Sequence, residues 1–238
     1  MTIGSNIRSL RERKGLTQCE LAERAGVTQV YISYCENGRK EPSMQFCKKL
    51  AAVFGCPIDL MLIHQPFNDY YGTYRAMEEA YKGGKIRAIG VSNFYPDRLI
   101  DLCKFTDVIP AVDQVETHVF RQQKKAHEIM KKYSVAHESW GPFAEGRKNF
   151  FSDPVLNGIG AKHGKTAAQT ALRFLMQSGV IVIPKSVRRE RMEENLNVFD
   201  FSLTDEEMSE LAKLDENESA FFSHYDPDTV EFLTGLAR

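Results

Sequence analysis

Cys56-Pro-Ile-Asp-Leu-Met-Leu-Ile-His-Gln-Pro66, CPIDLMLIHQP, lies where two sequence patterns meet. Taken with the residues before it, Pro57-Ile-Asp-Leu opens a closing helix, with Pro in the first turn where its missing N–H costs nothing. Taken with the residues after it, Met61-Leu-Ile-His64 is short and apolar and ends on a polar residue before Pro66, which suits a buried strand. One backbone cannot be both. The strand is favoured from about Asp59 onward, because Gly90-Val-Ser-Asn93 needs an adjacent strand. The helical segment then loses its final turn.

To the left of this seam the chain is dense in helix signals. IGSNIRSLRERKG sets Ile3, Ile7 and Leu10 on one face, opposite Arg and Lys, and stops at Gly15. TQCELAERAG opens on a capping box, Thr17 with Glu20, and stops at Gly26. VTQVYISYCENG opens at Thr28, carries Val30 and Ile32 into an apolar surface, and stops at Asn37-Gly38. After Pro42, SMQFCKKLAAVFG reads as a fourth helix ending at Gly55. Ala22 is small enough for the second and third helices to approach, and Gly26 permits the sharp turn between them.

LTQCELAERAGVTQVYISYCENGRKEPS therefore resembles the helix-turn-helix of the Cro/C1, or Xre-like, repressor family over residues 1 to about 60. The resemblance implies that the third helix enters the major groove of double-stranded DNA. Thr28, Gln29, Val30, Tyr31, Ser33 and Tyr34 would then face the duplex. Gln29 can offer a bidentate amide to adenine. Gln18 matches the position that holds the DNA backbone, Arg39 and Lys40 supply charge for phosphates, and Glu36 matches a structural acidic position.

To the right the rhythm changes. Short apolar runs (DLMLIH, IRAIGVSN, PAVDQVET, SVAHESW, VIVIPKS) alternate with amphipathic segments (TYRAMEEAYKG, YPDRLIDLCKF, QQKKAHEIMKKYS, TAAQTALRFLMQSG). That β-α-β-α order predicts parallel strands with helices outside. Each run ends in polar residues: His64, Ser92-Asn93, Gln114 and Glu116, Ser139-Trp140, Lys185-Ser186. Parallel barrels carry their sites on that rim. In VIPKSVRRERMEEN, Lys185, Arg188 and Arg191 gather where a strand turns into a helix, an arrangement that favours phosphate.

LIHQP, GVSNF, DQVETH, SWGPFAEG and IPKSVRRERMEENLNVFDFSLTDEEM, in that order across about 180 residues, resemble the aldo-keto reductases. The resemblance implies a TIM-type barrel that binds NADP(H). By it, Ser92, Asn93 and Gln114 would hold the nicotinamide carboxamide, and Trp140 would stack on the ring. Gly141, Pro142, Phe143 and Gly146 would line the loop over the pyrophosphate. Lys185, Ser186, Val187, Arg188, Arg191 and Asn195 would grip the adenosine and its 2′-phosphate, and Glu194 would touch the adenine edge. His64 matches the histidine that orients the carbonyl of a small substrate. The Asp, Tyr and Lys that complete the family's catalytic tetrad have no counterpart. Tyr70 and Tyr71 are near in sequence but match no family position.

The expected fold is multi-domain: an all-α helix-turn-helix at 1–57, then an incomplete parallel α/β of TIM-barrel type at 58–238, with about five of eight strands. Five strands cannot close a barrel of the usual shear. Open edges invite pairing with another chain, a homodimer among the options. Residues 1–57 hold nine Lys/Arg and five Asp/Glu, a charge of +4, so the remainder carries −5. That asymmetry suggests two parts with different partners. The five cysteines are irregularly spaced and form no metal-ligand set, so reduced thiols in a cytoplasmic protein are expected. No run is long enough to span a membrane and none resembles a signal peptide.

The functional expectation is DNA binding joined to an NADP(H)-binding half barrel that lacks turnover. The alternative is an NADP-dependent reductase of small carbonyl compounds, completed by a partner chain or an unrecognised acid. A nucleotide-responsive DNA-binding protein, a gene fusion with a decaying reductase half, a gene-calling error and a designed chimera are the further readings.

Overall fold

The structure, a computed structural model, describes residues 3–40, 42–54 and 58–235. The chain divides into two compact units. One runs to Leu60 and takes in Ala80–Arg87; the other holds Met61–Glu79 and Ala88 onward.

The first unit opens with four helices: α1 (Ile3–Arg13), α2 (Gln18–Ala25), α3 (Gln29–Glu36) and α4 (Met44–Phe54). Their ends obey the predicted chemistry. The Thr17 hydroxyl accepts from the Glu20 N–H while the Glu20 carboxylate accepts from the Thr17 N–H, so the box at the start of α2 is reciprocal. Gly26 ends α2 at φ 62°, a left-handed turn that a side chain would strain. Thr28 caps α3 by accepting from the Tyr31 N–H. Ile7, Leu21, Ala22, Ala25, Ile32, Phe46, Leu50 and Phe54 close over one core. Burying each large side chain of this kind contributes roughly 1.5–3 kcal/mol.

One expectation in this unit fails. Ile32 is fully buried, but Val30, expected beside it on the apolar surface, is 52% exposed. Two residues along an α-helix turn a side chain to about the opposite face, so both cannot point inward. The expected helix end at Gly55 and the helical reading of Pro57 lie outside the described residues. At the seam the strand prevails: β1 (Ile58–Ile63) begins one residue before Asp59.

The second pattern continues as α5 (Tyr70–Lys82), β2 (Ile86–Ser92), α6 (Pro96–Phe105), β3 (Val112–Glu116), α7 (Lys124–Lys132) and β4 (Ala136–Trp140). After two short 3₁₀ turns come α8 (Pro154–His163), α9 (Ala167–Gln177), β5 (Ile181–Val182), α10 (Arg189–Leu196), α11 (Asp205–Ala212) and α12 (Pro227–Gly235). The strands form one sheet in the order β1-β2-β3-β4-β5, a partial α/β barrel. Parallel register sets Ser92 beside Gln114, Gln114 beside Glu138, and Glu138 beside Ile181. Because side chains alternate along a strand, these four share one face of the sheet. Asp113, Val115, His137 and Ser139 take the other face.

The helices are stopped and started by the same devices as in the first unit. Pro96 opens α6, Asp153 caps α8, and Thr166-Gln169 and Thr204-Glu207 form capping boxes on α9 and α11. Phe150, Leu156, Ile159, Ala171, Leu175 and Leu211 are buried in a core with Val119 and Phe120. The far edge is different. β5 is two residues long, and Ile181 and Ile183 are 45% and 47% exposed.

Candidate DNA-binding face and dinucleotide cleft

The outward side of α3 carries Gln29, Val30 and Tyr34, all exposed, with Thr28 at its start; Ser33 and Tyr31 are half-buried. A buried carboxylate organises this face from behind. The Glu36 side chain has no exposed surface and accepts from Arg11 Nε (2.6 Å), Arg11 Nη2 (3.0 Å) and Gln18 Nε2 (2.8 Å), with Arg8 Nε at 3.5 Å. Burial pushes its carboxyl up, yet the bonds from Arg11, Gln18 and Arg8 together hold it below the ordinary value. Gln18 Oε1 in turn accepts from Gln29 Nε2 at 2.7 Å. That contact fixes the Gln29 side chain and leaves its carbonyl oxygen and second N–H available, the pair that reads adenine. Tyr31 turns partly inward. Its ring meets Phe46 edge-on, its hydroxyl accepts from the Ser43 N–H at 3.5 Å, and Lys40 lies over it at 5.1 Å. Arg39 and Lys40 come after α3 on exposed backbone.

In the second unit the polar strand ends are wired together. Ser92 Oγ donates to the Gln114 carbonyl (2.7 Å), and the Asn93 N–H donates to the same oxygen. Asn93 Nδ2 donates to the His64 carbonyl (3.1 Å), and Asn93 Oδ1 accepts from Trp140 Nε1 (2.9 Å). Gln114 Nε2 donates to Glu138 Oε1 at 2.5 Å. The network thus joins β1, β2, β3 and β4 at one end of the sheet. The His64 side chain is exposed there.

Trp140 has a neighbour that no sequence pattern announces. Phe221 lies 5.2 Å from it, ring centre to ring centre, and would stand 3.6 Å from a Cβ on Gly141. The segment bearing Phe221 is pinned by Glu116, which accepts from Ser219 Oγ (2.5 Å) and the Ala220 N–H (2.8 Å). Burial raises the Glu116 carboxyl, but hydrogen bonds from His118, Ser219 and Ala220, with Arg121 nearby, bring it below its usual range. Arg147 covers the other part of Phe221 at 4.5 Å and donates to the Ala220 carbonyl. Over 100 residues separate Glu116 from Ser219, so no local pattern could reveal the pairing.

Beside Trp140 opens a cleft of about 720 Å³. Gly141, Pro142, Phe143, Gly146, Lys185, Ser186, Arg191, Glu194 and Asn195 line it, joined by Glu145, Phe151 and Thr166 among others. Val187 and Arg188 do not line it; both are exposed, and Arg188 is the N-cap of α10. Gly141 and Gly146 take φ of 64° and 77°, a left-handed backbone at each end of this loop that a side chain would strain. No described carboxylate pairs with Lys185, Arg188 or Arg191, whereas the adjacent Arg189 is held by Glu193 at 2.8 Å. Glu194 is already engaged, accepting from Thr166 Oγ1 at 2.6 Å. A loop that turns on two glycines, the unpaired cations Lys185 and Arg191, and an indole next to the loop fit a phosphate-bearing dinucleotide. Among the described residues, no group of three or more His, Cys, Asp or Glu side chains is arranged for a metal.

Residues 33–216 match the family model described as the aldo/keto reductase family. The chain belongs to that family. A helix-turn-helix domain model matches residues 2–62, so the two matches overlap across α3, α4 and β1. An aldo-keto reductase of Mycobacterium sp. (strain JLS) is 40% identical over 178 residues, 74% of this chain and 63% of that protein. The glyoxal reductase of Bacillus subtilis is 43% identical over 162 residues, 68% of this chain and 58% of its own. The crystal structure of Bombyx mori aldo-keto reductase AKR2E4 in complex with NADP superposes with a TM-score of 0.69 at 27% identity, covering 78% of this chain and 66% of that one. The chain therefore spans about three fifths of the length of the curated relatives it matches. No helix among the described residues is long and apolar enough to cross a membrane.

Of the two tyrosines that follow His64 in sequence, Tyr71 has its hydroxyl committed elsewhere. Tyr71 Oη donates to Asp101 at 2.7 Å, and burial with that carboxylate pushes its hydroxyl up to about 12. Tyr70 stacks on Tyr71 and meets Phe94 edge-on. A phenol held so far above neutrality by burial and by a carboxylate that takes its proton is a poor proton donor to a carbonyl.

Proposed function

We propose that this protein binds double-stranded DNA through a Cro/C1-type helix-turn-helix and binds NADP(H) in its partial barrel, without reductase turnover. The chain of hydrogen bonds from Glu36 through Gln18 to Gln29 carries the DNA reading. It holds a base-reading amide in place on an exposed helix. Thr28, Ser33 and Tyr34 extend the face, and Arg39 and Lys40 supply phosphate contacts that fix register without reading sequence.

The NADP(H) reading rests on the cleft beside Trp140. Lys185 and Arg191 would hold the 2′-phosphate, Asn195 and Ser186 the adenosine, the Gly141–Gly146 loop the pyrophosphate, and Ser92, Asn93, Gln114 and Trp140 the nicotinamide end. The bound dinucleotide supplies a hydride in the family's chemistry. Here His64 is the one residue matching the family's catalytic tetrad, and the Tyr71 hydroxyl that follows it in sequence is engaged with Asp101. Removing a general acid costs typically about 10²–10⁴ in rate.

Selection from a pool of random duplexes, followed by salt titration, tests the DNA role. Enriched sites should lose about 1–3 kcal/mol on Gln29→Ala, and Arg39→Ala should flatten the salt slope by about one unit. No enrichment would overturn specific recognition. NADPH oxidation with a panel of small aldehydes tests the second half. Turnover that falls on His64→Ala would favour instead a working NADP-dependent reductase of small carbonyls.

A further inference from the structure

Residues 219–221 clasp the loop that runs from Gly141 to Arg147 at both of its ends. At its start the Phe221 ring packs against Trp140 and lies 3.6 Å from where a Cβ on Gly141 would stand. At its end Arg147 Nη1 donates to the Ala220 carbonyl at 2.6 Å, and the guanidinium sits 4.5 Å from the centre of the Phe221 ring. Lys148, one residue on, pairs with Glu216. Within and just beyond the loop the backbone is left-handed at residues that carry side chains: Ala144 (φ 48°), Glu145 (φ 50°), Lys148 (φ 57°) and Asn149 (φ 54°). A Cβ disfavours that region, so such a shape persists where neighbouring structure imposes it.

The clasp has a single root. Glu116 ends β3 with its side chain 5% exposed. Its Oε2 accepts from Ser219 Oγ (2.5 Å) and its Oε1 from the Ala220 N–H (2.8 Å). The Ser219 oxygen in turn accepts from the N–H groups of Phe221 (3.0 Å) and Phe222 (2.9 Å). One buried carboxylate thus fixes the backbone that sets the ring against Trp140. Glu116, Phe221 and Arg147 do not line the dinucleotide cleft, whereas Gly141, Glu145 and Gly146 do. A ligand in the cleft meets the loop, and the loop meets the clasp.

We propose that Glu116 and Phe221 are positioning residues for the dinucleotide that act in series: the carboxylate holds the clasp, and the clasp holds the loop in shape for the pyrophosphate. This rests on the NADP(H) reading of the cleft. A loop already ordered loses little freedom on binding, so it binds more tightly than the same loop set free. The effect is confined to one end of the ligand. Among the described residues, Lys185, Arg191 and Asn195, which line the cleft on the adenosine side, make no bond to residues 219–221.

Two ligands separate the ends in calorimetric titration of the full chain: NADPH, and adenosine 2′-monophosphate, which has neither pyrophosphate nor nicotinamide. The wild type should bind both. Phe221→Ala and the near-isosteric Glu116→Gln should each weaken NADPH about tenfold, the cost of fixing one freed loop residue, and leave adenosine 2′-monophosphate within about twofold. Adding Glu116→Gln to Phe221→Ala should weaken NADPH by less than about a further twofold, because residues on one path are not additive. Phe221→Tyr, which keeps the ring, should bind NADPH as the wild type does. Unchanged NADPH affinity in both single variants, equal weakening of the two ligands, or fully multiplying effects in the double variant would overturn the inference and leave the cleft reading standing. Wild-type protein that binds neither ligand would remove the NADP(H) reading itself, and the inference with it.

Discussion

Glu36→Ala offers the sharpest test of how the helix-turn-helix is held. The wild-type carboxylate is wholly buried and satisfies Arg11 through two bonds, Arg8 through a longer one, and Gln18. Arg11 is itself only 12% exposed. Removing the carboxylate leaves the nearly buried guanidinium with only the Leu16 carbonyl (2.9 Å) and Glu12 at 3.5 Å, a change that costs at most about 3–5 kcal/mol. At about 1.4 kcal/mol per tenfold, amide hydrogens of α1 to α3 should exchange up to roughly 10² to 4 × 10³ times faster, within the ceiling set by opening of the whole unit. Hydrogen exchange read by mass spectrometry on the full chain localises the effect, and peptides from 88–235 serve as the internal reference. The network also has a pH signature. The folded carboxyl lies below its unfolded value of about 4.3, so its contribution is complete above that pH and disappears as pH falls through the lower folded value. Acceleration under tenfold, or one spread equally over 88–235, would refute the view that Glu36 anchors this unit.

Two buried groups in the second unit carry further predictions. Asp113 is fully buried, neither of its oxygens has a well-formed hydrogen bond among the described residues, and burial drives its carboxyl well above the usual range, with the Phe94 N–H offsetting this only slightly. The native state therefore keeps a proton that the unfolded chain gives up, and stability declines as pH rises from the unfolded value toward the folded one. Asp113→Asn should raise the urea midpoint at pH 8, by the equivalent of about 1–3 kcal/mol, and do little at pH 4; a lower midpoint at pH 8 would contradict this. Asn93→Ala removes the link between Trp140 and the His64 carbonyl. NADPH titrated against the fluorescence of the single tryptophan should then show a Kd roughly 2- to 10-fold higher, one hydrogen bond's worth, and an unchanged Kd would remove Asn93 from the site.

Much of the architecture is legible because it is written in local chemistry. Thr17 with Glu20, Thr28, Gly26 and Asn37 each mark a helix end within a few residues, and all sit where the structure ends or begins a helix. The five strands can be read from short apolar runs that end in polar rim residues. Val30 is misplaced when apolar character is weighed above helical phase. The sequence conceals long-range partners: Glu116 with Ser219, Phe221 with Trp140, and Glu138 with Gln114. None of these depends on neighbouring residues, so no periodicity can announce it.

The brevity of β5 has a consequence for how this chain behaves in a crowded solution. A free strand border with Ile181 and Ile183 half out in solvent is a template on which other extended chains can crystallise sideways. Immediately beyond that border come Lys185, Arg188, Arg189 and Arg191, a fence of like charge of the kind that discourages such stacking. Among the described residues, three of these four cations have no acidic partner. One short stretch would then serve solubility and phosphate capture together. Selection that trimmed its charge would lose both at once, and a filled phosphate site would itself lower the fence.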